Sequence, residues 1–138
     1  MIGGFDEYDY DSKTTTELID QFASISGPDL PWGFSRHCAT KITEYTAIII
    51  GGSEKPQGTL WLTYFPDHYN NTEEGPNLIG DGRINHACAH IRANNGSDYV
   101  IAAGGLSNGV VLNTSEILLV SAVSNSWRPG KVPIIYSL

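Results

Sequence analysis

Residues 46–52 read TAIIIGG, a run of small and β-branched residues that ends in two glycines. Residues 99–105 read YVIAAGG, and the chain begins with MIGG. A β-branched run that ends at glycines is typical of a strand buried on both faces. The Gly-Gly pairs open at Gly3, Gly51 and Gly104, so they are 48 and 53 residues apart. This spacing predicts an internal repeat of roughly fifty residues.

Other segments recur with the same spacing. GPDLP at 27–31 returns as GPNLI at 75–79, and HCA at 37–39 returns within HACA at 86–89. A short apolar segment follows each Gly-Gly pair: TELI (16–19), LWLTYF (60–65) and SEILLV (115–120). We therefore divide the chain into an incomplete first unit (1–31), a second unit (32–79), a third unit (80–133) and a tail (134–138).

The second unit predicts four short antiparallel strands. RHCATKI, TAIII and LWLTYF are strand-like, and a weaker fourth strand leads to EGPNL. Breaker-rich segments lie between them, and in the third unit Asn95-Gly96 marks a tight hairpin turn. Four antiparallel strands in roughly fifty residues are typical of one blade of a β-propeller. The predicted fold class is all-β.

One segment of the first unit also fits a helix. In TTTELIDQFASI (14–25), Thr14 and Glu17 form a capping-box pattern, and Leu18, Phe22 and Ile25 have helical spacing. The phase of the repeat instead aligns this segment with the third and fourth strands of the other units. We expect strands here, because local propensity is a weak prior against a repeat.

The chain resembles Kelch repeats. The resemblance lies in IIIGG and VIAAGG, in Arg36-His37, Arg83 and His86 ahead of a strand, and in Trp127 before Pro129. It covers nearly the whole chain and implies four-stranded blades of a β-propeller. Two departures stand out: Ile25 and Thr72 or Glu73 occupy places where the family has a fourth-strand Trp, and the first unit lacks its innermost strand.

Composition and charge exclude some partners. The chain has 138 residues, enough for about one domain, and a net charge of -7, which argues against nucleic acid. No apolar run reaches the ~18 residues of a membrane span, and Met1 is followed directly by IGG without a signal-peptide pattern. The sequons at Asn70, Asn95 and Asn113 would matter only in a secreted parent, so the compartment stays open.

Two and a half units are too few for a closed ring, because propellers use about four to eight blades. We expect the chain to be a segment of a longer protein. The alternative is that two copies complete one ring, with VPIIYSL (132–138) lending a strand. In either case, open blade faces and unpaired edges favour self-association.

The sequence predicts no catalytic set, no metal site and no cofactor. His37 and His86 are expected to be packing residues, with ligands facing a central channel as the alternative. Cys38 and Cys88 are expected to be small buried residues, with a disulfide between neighbouring inner strands as the alternative. The acidic loop 5–13 lacks the spacing of an EF-hand and is expected to be solvated.

The predicted function is a non-catalytic protein-interaction module. In a four-stranded meander, the loop after strand two and the link after strand four emerge at the same end. That end collects five segments: 5–13, 31–36, 53–58, 79–83 and 106–110. The expected partner-binding residues are Tyr8, Tyr10, Trp32, Phe34, Arg36 and Arg83, because aromatic residues and Arg are enriched at protein interfaces. The resemblance implies the same face, where Kelch propellers bind partner peptides.

Three alternatives remain at this point. Arg36 and Arg83 could instead bind backbone carbonyls between blades. The chain could be a fragment of a propeller enzyme of the copper oxidase or sugar mutarotase class, although the Tyr-Cys crosslink and ligand set of the copper enzymes are not assembled here. It could also be a purely structural piece of its parent.

Overall fold

A computed structural model describes residues 3, 5–6, 11–19, 24–65, 69–120 and 126–130. This part of the chain contains β-strands and no α-helix, so the all-β prediction is confirmed. The strands are β1 (Phe5–Asp6), β2 (Asp11–Ser12), β3 (Glu17–Ile19), β4 (Ser24–Ser26), β5 (Cys38–Lys41), β6 (Thr46–Ile50), β7 (Thr59–Phe65), β8 (Tyr69–Glu74), β9 (Ala87–Arg92), β10 (Asp98–Ala103), β11 (Leu106–Ser107), β12 (Val110–Val111), β13 (Ser115–Leu119) and β14 (Arg128–Pro129).

The second and third units each form one four-stranded antiparallel sheet. The middle sheet has the order β5-β6-β7-β8, and the C-terminal sheet has the corresponding order β9-β10-β13-β14. The predicted four-stranded antiparallel sheet is therefore confirmed in both units, and the third unit adds the two-stranded β11-β12 sheet where a loop was expected. The inner strands β5 and β9 lie side by side, and the described sheets do not close into a ring.

The segment TAIII is buried on both faces, as its composition predicts. Ile48, Ile49 and Ile50 are each fully buried. Ile48 and Ile50 pack with Val100, Ala102 and Leu118 of the third unit, together with further buried residues that include Ile42, Leu78 and Trp127. Alternating side chains of a strand point to opposite faces, so Ile49 packs on the other side, with Leu30, Phe34 and Leu60. The strand lacks polar alternation because another unit covers each of its faces.

Both glycine doublets at the ends of β6 and β10 have a conformation that L-residues rarely adopt. The φ angles are +62° and +113° at Gly51 and Gly52, and +67° and +86° at Gly104 and Gly105. A Cβ on Gly51 would lie 2.9 Å from His86 Cε1 and would also meet the carbonyl of Arg83. Gly51 therefore permits a positive φ where the following unit's chain passes closely, and Gly105 permits one beside Ile84 and His86 of its own unit.

One hydrogen-bond plan recurs in all three units. The first glycine of each doublet donates to a carbonyl just before the third-strand position of its unit (β3, β7 or β13): Gly3 N to Thr15 O (2.9 Å), Gly51 N to Gly58 O (2.8 Å) and Gly104 N to Thr114 O (3.0 Å). A later glycine donates back to the start of that strand: Gly27 N to Thr16 O (2.8 Å), Gly75 N to Thr59 O (2.9 Å) and Gly130 N to Ser115 O (2.7 Å). The repeat inferred from letters is thus also a repeat of backbone contacts.

The first unit follows the same plan where it is described. Glu17–Ile19 pairs antiparallel with Ser24–Ser26, at the positions of the third and fourth strands. The expectation of strands instead of a helix is confirmed for these residues, and residues 20–23 lie outside the described part. The Thr16 hydroxyl donates to Pro28 O (2.8 Å), as the Thr59 hydroxyl does to Pro76 O (2.7 Å).

The two cysteines form a disulfide, so the expectation of free buried thiols is wrong. Cys38 on β5 and Cys88 on β9 have Cα atoms 5.9 Å apart, within the range of disulfides. The repeat itself is the reason, because it places both cysteines near the start of inner strands that run side by side. The bond links the middle and C-terminal sheets covalently.

Candidate functional surface

The loops predicted to share one end of the sheets are held together by hydrogen bonds. We call the described segments 31–36, 53–58, 79–83 and 106–110 the loop surface. Ser53 N donates to Ser35 O (2.9 Å), and Arg83 N donates to Pro56 O (3.0 Å). Asn108 Nδ2 donates to Asp81 Oδ2 (2.8 Å). Each segment is therefore tied to the next, which gives the surface a rigid frame. Tyr8 and Tyr10 lie outside the described residues.

Trp32 forms an aromatic corner of the loop surface. Its side chain is half-buried, and the Nζ of Lys55 lies 4.2 Å from its ring centroid, in cation–π geometry. Lys55 also pairs with Glu74 at 2.9 Å, while Glu54 accepts a hydrogen bond from Gly33 N at 3.0 Å. The indole N–H of Trp32 is buried and has no hydrogen-bond partner among the described residues. The corner is built by segments 31–36 and 53–58 together.

Arg36 is exposed and has a strained backbone. Its φ is +56°, and its carbonyl accepts a hydrogen bond from Asn85 N at 2.9 Å. The corresponding residue 49 positions later is Asn85, with φ +52°, and Asn tolerates this conformation much better than Arg does. Within the described part of the chain, the Arg36 guanidinium makes no ion pair or hydrogen bond. Arg36 therefore places an exposed cation at a position whose backbone conformation favours Asn.

Arg83, one of the predicted partner-binding residues, is buried. The side chain is 2% exposed and is bound to Glu116, which is 5% exposed, by Nη2–Oε1 (2.5 Å) and Nε–Oε1 (3.2 Å) contacts. Its Nη1 also donates to the carbonyls of Gly104 (2.9 Å) and Thr114 (3.1 Å). The alternative that Arg83 binds backbone carbonyls is met within the third unit, to which Gly104 and Thr114 also belong, and not across a boundary between units. The guanidinium is not available to a partner.

Phe34, another predicted partner-binding residue, is also buried. It is 1% exposed and packs with Leu30, Ile49 and Leu60 between the first and second units. Its ring centroid lies 5.3 Å from that of Trp32 and 5.6 Å from that of His37. Phe34 therefore packs against the Trp32 ring from the buried side. Of the four predicted contact residues that the structure describes, Arg36 is exposed and Trp32 is half-buried, whereas Phe34 and Arg83 are buried.

His37 and His86 lie inward of the loop surface, beside the glycine doublets. Burial lowers the pKa of His37, and burial together with the charges of Arg83 and His37 lowers the pKa of His86 to about 4, with a smaller opposing effect from the Ile50 backbone. The ring nitrogens of His86 have no hydrogen-bond partner among the described residues. A neutral, desolvated imidazole packed against Gly51 and Gly105 matches the expected packing role.

The loop surface also contains a cleft of about 300 Å³ that the sequence did not reveal. It lies between segment 79–83 and residues 107–116, and the Arg83–Glu116 pair lines it. Exposed apolar side chains occur in the segments that border it, namely Ile79, Val110 and Val111. A second cavity of about 300 Å³ lies toward the hairpin turns at the other end, lined by residues that include Tyr45, Leu62 and Tyr64.

Neither similarity to known proteins nor a metal-binding cluster among the described residues points to a function. No family model and no curated protein matches the chain. In the described residues, no group of three or more His, Cys, Asp or Glu side chains is arranged to hold a metal ion. No helix in that part is long and apolar enough to cross a bilayer. The disulfide uses the sulfur atoms of both cysteines in the sequence.

Proposed function

We propose that this chain is a Kelch-type propeller segment that acts as a non-catalytic protein-interaction module, with the loop surface as its contact. Two corresponding four-stranded meanders with adjacent inner strands support the propeller interpretation. The partner is a protein or peptide segment that presents a carboxylate to Arg36 and a flat apolar group to Trp32.

The observation that carries this proposal is the combination of an exposed side chain and a left-handed backbone at Arg36. The left-handed backbone of Arg36 costs stability, and such strain is found preferentially at functional sites. The exposed guanidinium makes no ion pair among the described residues. Trp32 lies in the same segment, and its half-buried ring carries the Lys55 ammonium in cation–π geometry. Trp and Arg are the residue types that most often dominate protein interfaces. The hydrogen-bonded loops would hold the backbone that carries both side chains before binding, which lowers the ordering cost.

The test substitutes each residue by one that separates binding from folding. Arg36→Asn introduces the residue that the next unit has at this position, so we expect unchanged or slightly higher stability. Trp32→Ala removes the aromatic corner. Two matched controls lie toward the hairpin end of the middle sheet, Lys41→Asn and Tyr45→Ala, and both side chains are exposed.

Each variant is used to recover interacting proteins from source-cell extract, with unfolding measured in parallel. We expect the partner bound by the unmodified chain to be retained by both controls and to bind at least about tenfold more weakly to Arg36→Asn and Trp32→Ala. Equal retention by all four variants would contradict the proposal. Stoichiometric copper in the isolated protein, or turnover of a sugar, would instead support the enzyme alternative.

A further inference from the structure

The Cys38–Cys88 bond constrains where the protein matures. Its formation removes two protons and two electrons from two thiols, and an external disulfide oxidant accepts them and becomes a dithiol. Structural disulfides form and persist in oxidising compartments and are rare in the cytosol, where thiols are kept reduced. The two half-buried cysteines are 50 residues apart in sequence and join two separate sheets, so the bond is a structural disulfide.

An exposed N-glycosylation sequon lies on the same sheet. Asn95-Gly96-Ser97 forms the turn between β9 and β10, and the Asn95 side chain is exposed. Asn95 Oδ1 accepts a hydrogen bond from Ser97 N at 3.0 Å, which leaves the amide nitrogen directed away from that contact. A Cβ placed on Gly96 would meet no atom within 4 Å, so there is open space beside the turn for a bulky group.

The other two sequons are placed differently. Asn113 is exposed, but Thr114 of its sequon has its carbonyl bound to Gly104 N and Arg83 Nη1, at the end of the sheet that carries the loop surface. Asn70 lies within β8, opposite Tyr64. Asn95 is at the hairpin end, where a glycan would leave the loop surface uncovered.

We infer that the protein matures in an oxidising secretory compartment and carries an N-linked glycan on Asn95. In the transfer, the Asn95 amide nitrogen forms a bond to the anomeric carbon of a lipid-pyrophosphate-linked oligosaccharide. The anomeric C–O bond breaks, the lipid pyrophosphate leaves with the electron pair, and the amide releases one proton. Sequons in surface turns of secreted proteins are the sites that accept this modification. The inference does not depend on the proposed partner.

The test uses protein isolated from its source cells under thiol-blocking conditions. Trypsin cleaves after Arg36, Lys41, Arg83 and Arg92, so the disulfide is expected as a linked pair of peptides 37–41 and 84–92. Asn95 and Asn113 share one tryptic peptide, and a second cleavage before Asp98 separates them. Release of the glycan by an N-glycosidase in heavy-oxygen water is expected to convert Asn95 to a labelled Asp.

A matched pair of variants in a secretory expression host completes the test. Ser97→Ala destroys the sequon and is expected to abolish the glycan-dependent mobility shift of that site, while Ser97→Thr restores an acceptor and is expected to retain it. Asn113→Gln is expected to leave the Asn95 glycan in place. Alkylated free Cys38 and Cys88, an unmodified Asn95, or a glycan on Asn113 alone in the source-cell protein would overturn the inference.

Discussion

The two interfaces between units each contain an apolar cluster, but they differ in chemistry at one pair of corresponding positions. Phe34 and Leu60 belong to the apolar cluster between the first and second units. The corresponding positions between the second and third units are Arg83 and Glu116, a buried ion pair. The backbone contacts agree: Phe34 N binds Lys13 O at 2.9 Å, as Arg83 N binds Pro56 O at 3.0 Å.

A third position changes together with this pair. Ile79 N donates to Glu116 Oε2 at 2.8 Å, whereas the corresponding residue of the first unit is Pro31, which has no N–H to satisfy. The first interface therefore has an apolar set, Pro31, Phe34 and Leu60, that contains no polar side chain. The second interface has a charged set, Ile79, Arg83 and Glu116, in which Glu116 binds both the Arg83 guanidinium and the Ile79 N–H. The repeat therefore preserves the backbone geometry and the hydrogen bonding at these positions, although the residue types change.

The largest loss of stability is expected when the carboxylate of Glu116 is removed and Arg83 stays in place. Glu116→Leu leaves the guanidinium of Arg83 buried without its carboxylate and should lower the free energy of unfolding by about 3–5 kcal/mol. Glu74→Leu is the control, because the exposed Lys55–Glu74 pair should contribute less than about 1 kcal/mol. Denaturant unfolding measures both, and equal small losses would contradict the account of the second interface.

The disulfide crosses only the second of these interfaces. Replacing Cys38 and Cys88 together by Ala should lower the free energy of unfolding by about 2–4 kcal/mol, since the bond restricts the unfolded chain over a long loop. Reduction of the unmodified protein should produce the same loss, measured in denaturant with and without reductant. A midpoint that does not respond to reductant would contradict the bond.

His86 should make the second interface sensitive to acid. Its pKa in the folded protein is lowered to about 4 from 6.5, so the folded state favours the neutral ring. Stability should be full above pH 6.5 and decline as the pH falls from 6.5 toward 4, where protons bind preferentially to the unfolded chain. The total loss should be on the order of 3 kcal/mol.

Unfolding measured across this pH range in His86→Leu should show a flatter profile. Asp98, whose pKa is held at about 2 by Arg92 and His90, contributes only below pH 3.8 or so and does not overlap this window. An unchanged slope in His86→Leu would show that another group is responsible.

The smallest expected effect separates glycine strain from glycine packing. Gly105→Ala introduces a Cβ 2.8 Å from that of His86 at a φ of +86°, and should lower the free energy of unfolding by about 2–3 kcal/mol. Gly96→Ala has a similar φ of +83° but open space around it, so it should cost only about 1 kcal/mol. Thermal unfolding of both variants gives the difference, and equal losses would show that close packing is unimportant at the doublets.

Local pattern predicts much of the fold but little of the buried polar chemistry. TAIIIGG predicts a strand covered on both faces and a turn with positive φ, and the phase of the repeat identifies strands at 17–19 and 24–26, where local propensity favours a helix. These features depend on residues that are close in sequence or that recur at a fixed interval.

The disulfide and the buried Arg83 depend on distant contacts. Arg83 and Glu116 are 33 residues apart, and an Arg in a polar loop gives no local sign that a carboxylate will cover it. A signal exists in the alignment of the units, because Phe34 and Leu60 change together to Arg and Glu. This joint change at two aligned positions is the sequence signal for the Arg83–Glu116 contact.

The central claim is that the two interfaces are alternative versions of one plan, and the most direct test converts one into the other. The measurement is the free energy of unfolding of the triple variant Ile79→Pro, Arg83→Phe, Glu116→Leu, relative to Glu116→Leu alone. The account predicts that the triple variant recovers most of the ~3–5 kcal/mol lost in the single variant, because replacing a buried ion pair by apolar residues is often neutral or stabilising. A triple variant as unstable as Glu116→Leu would contradict the claim.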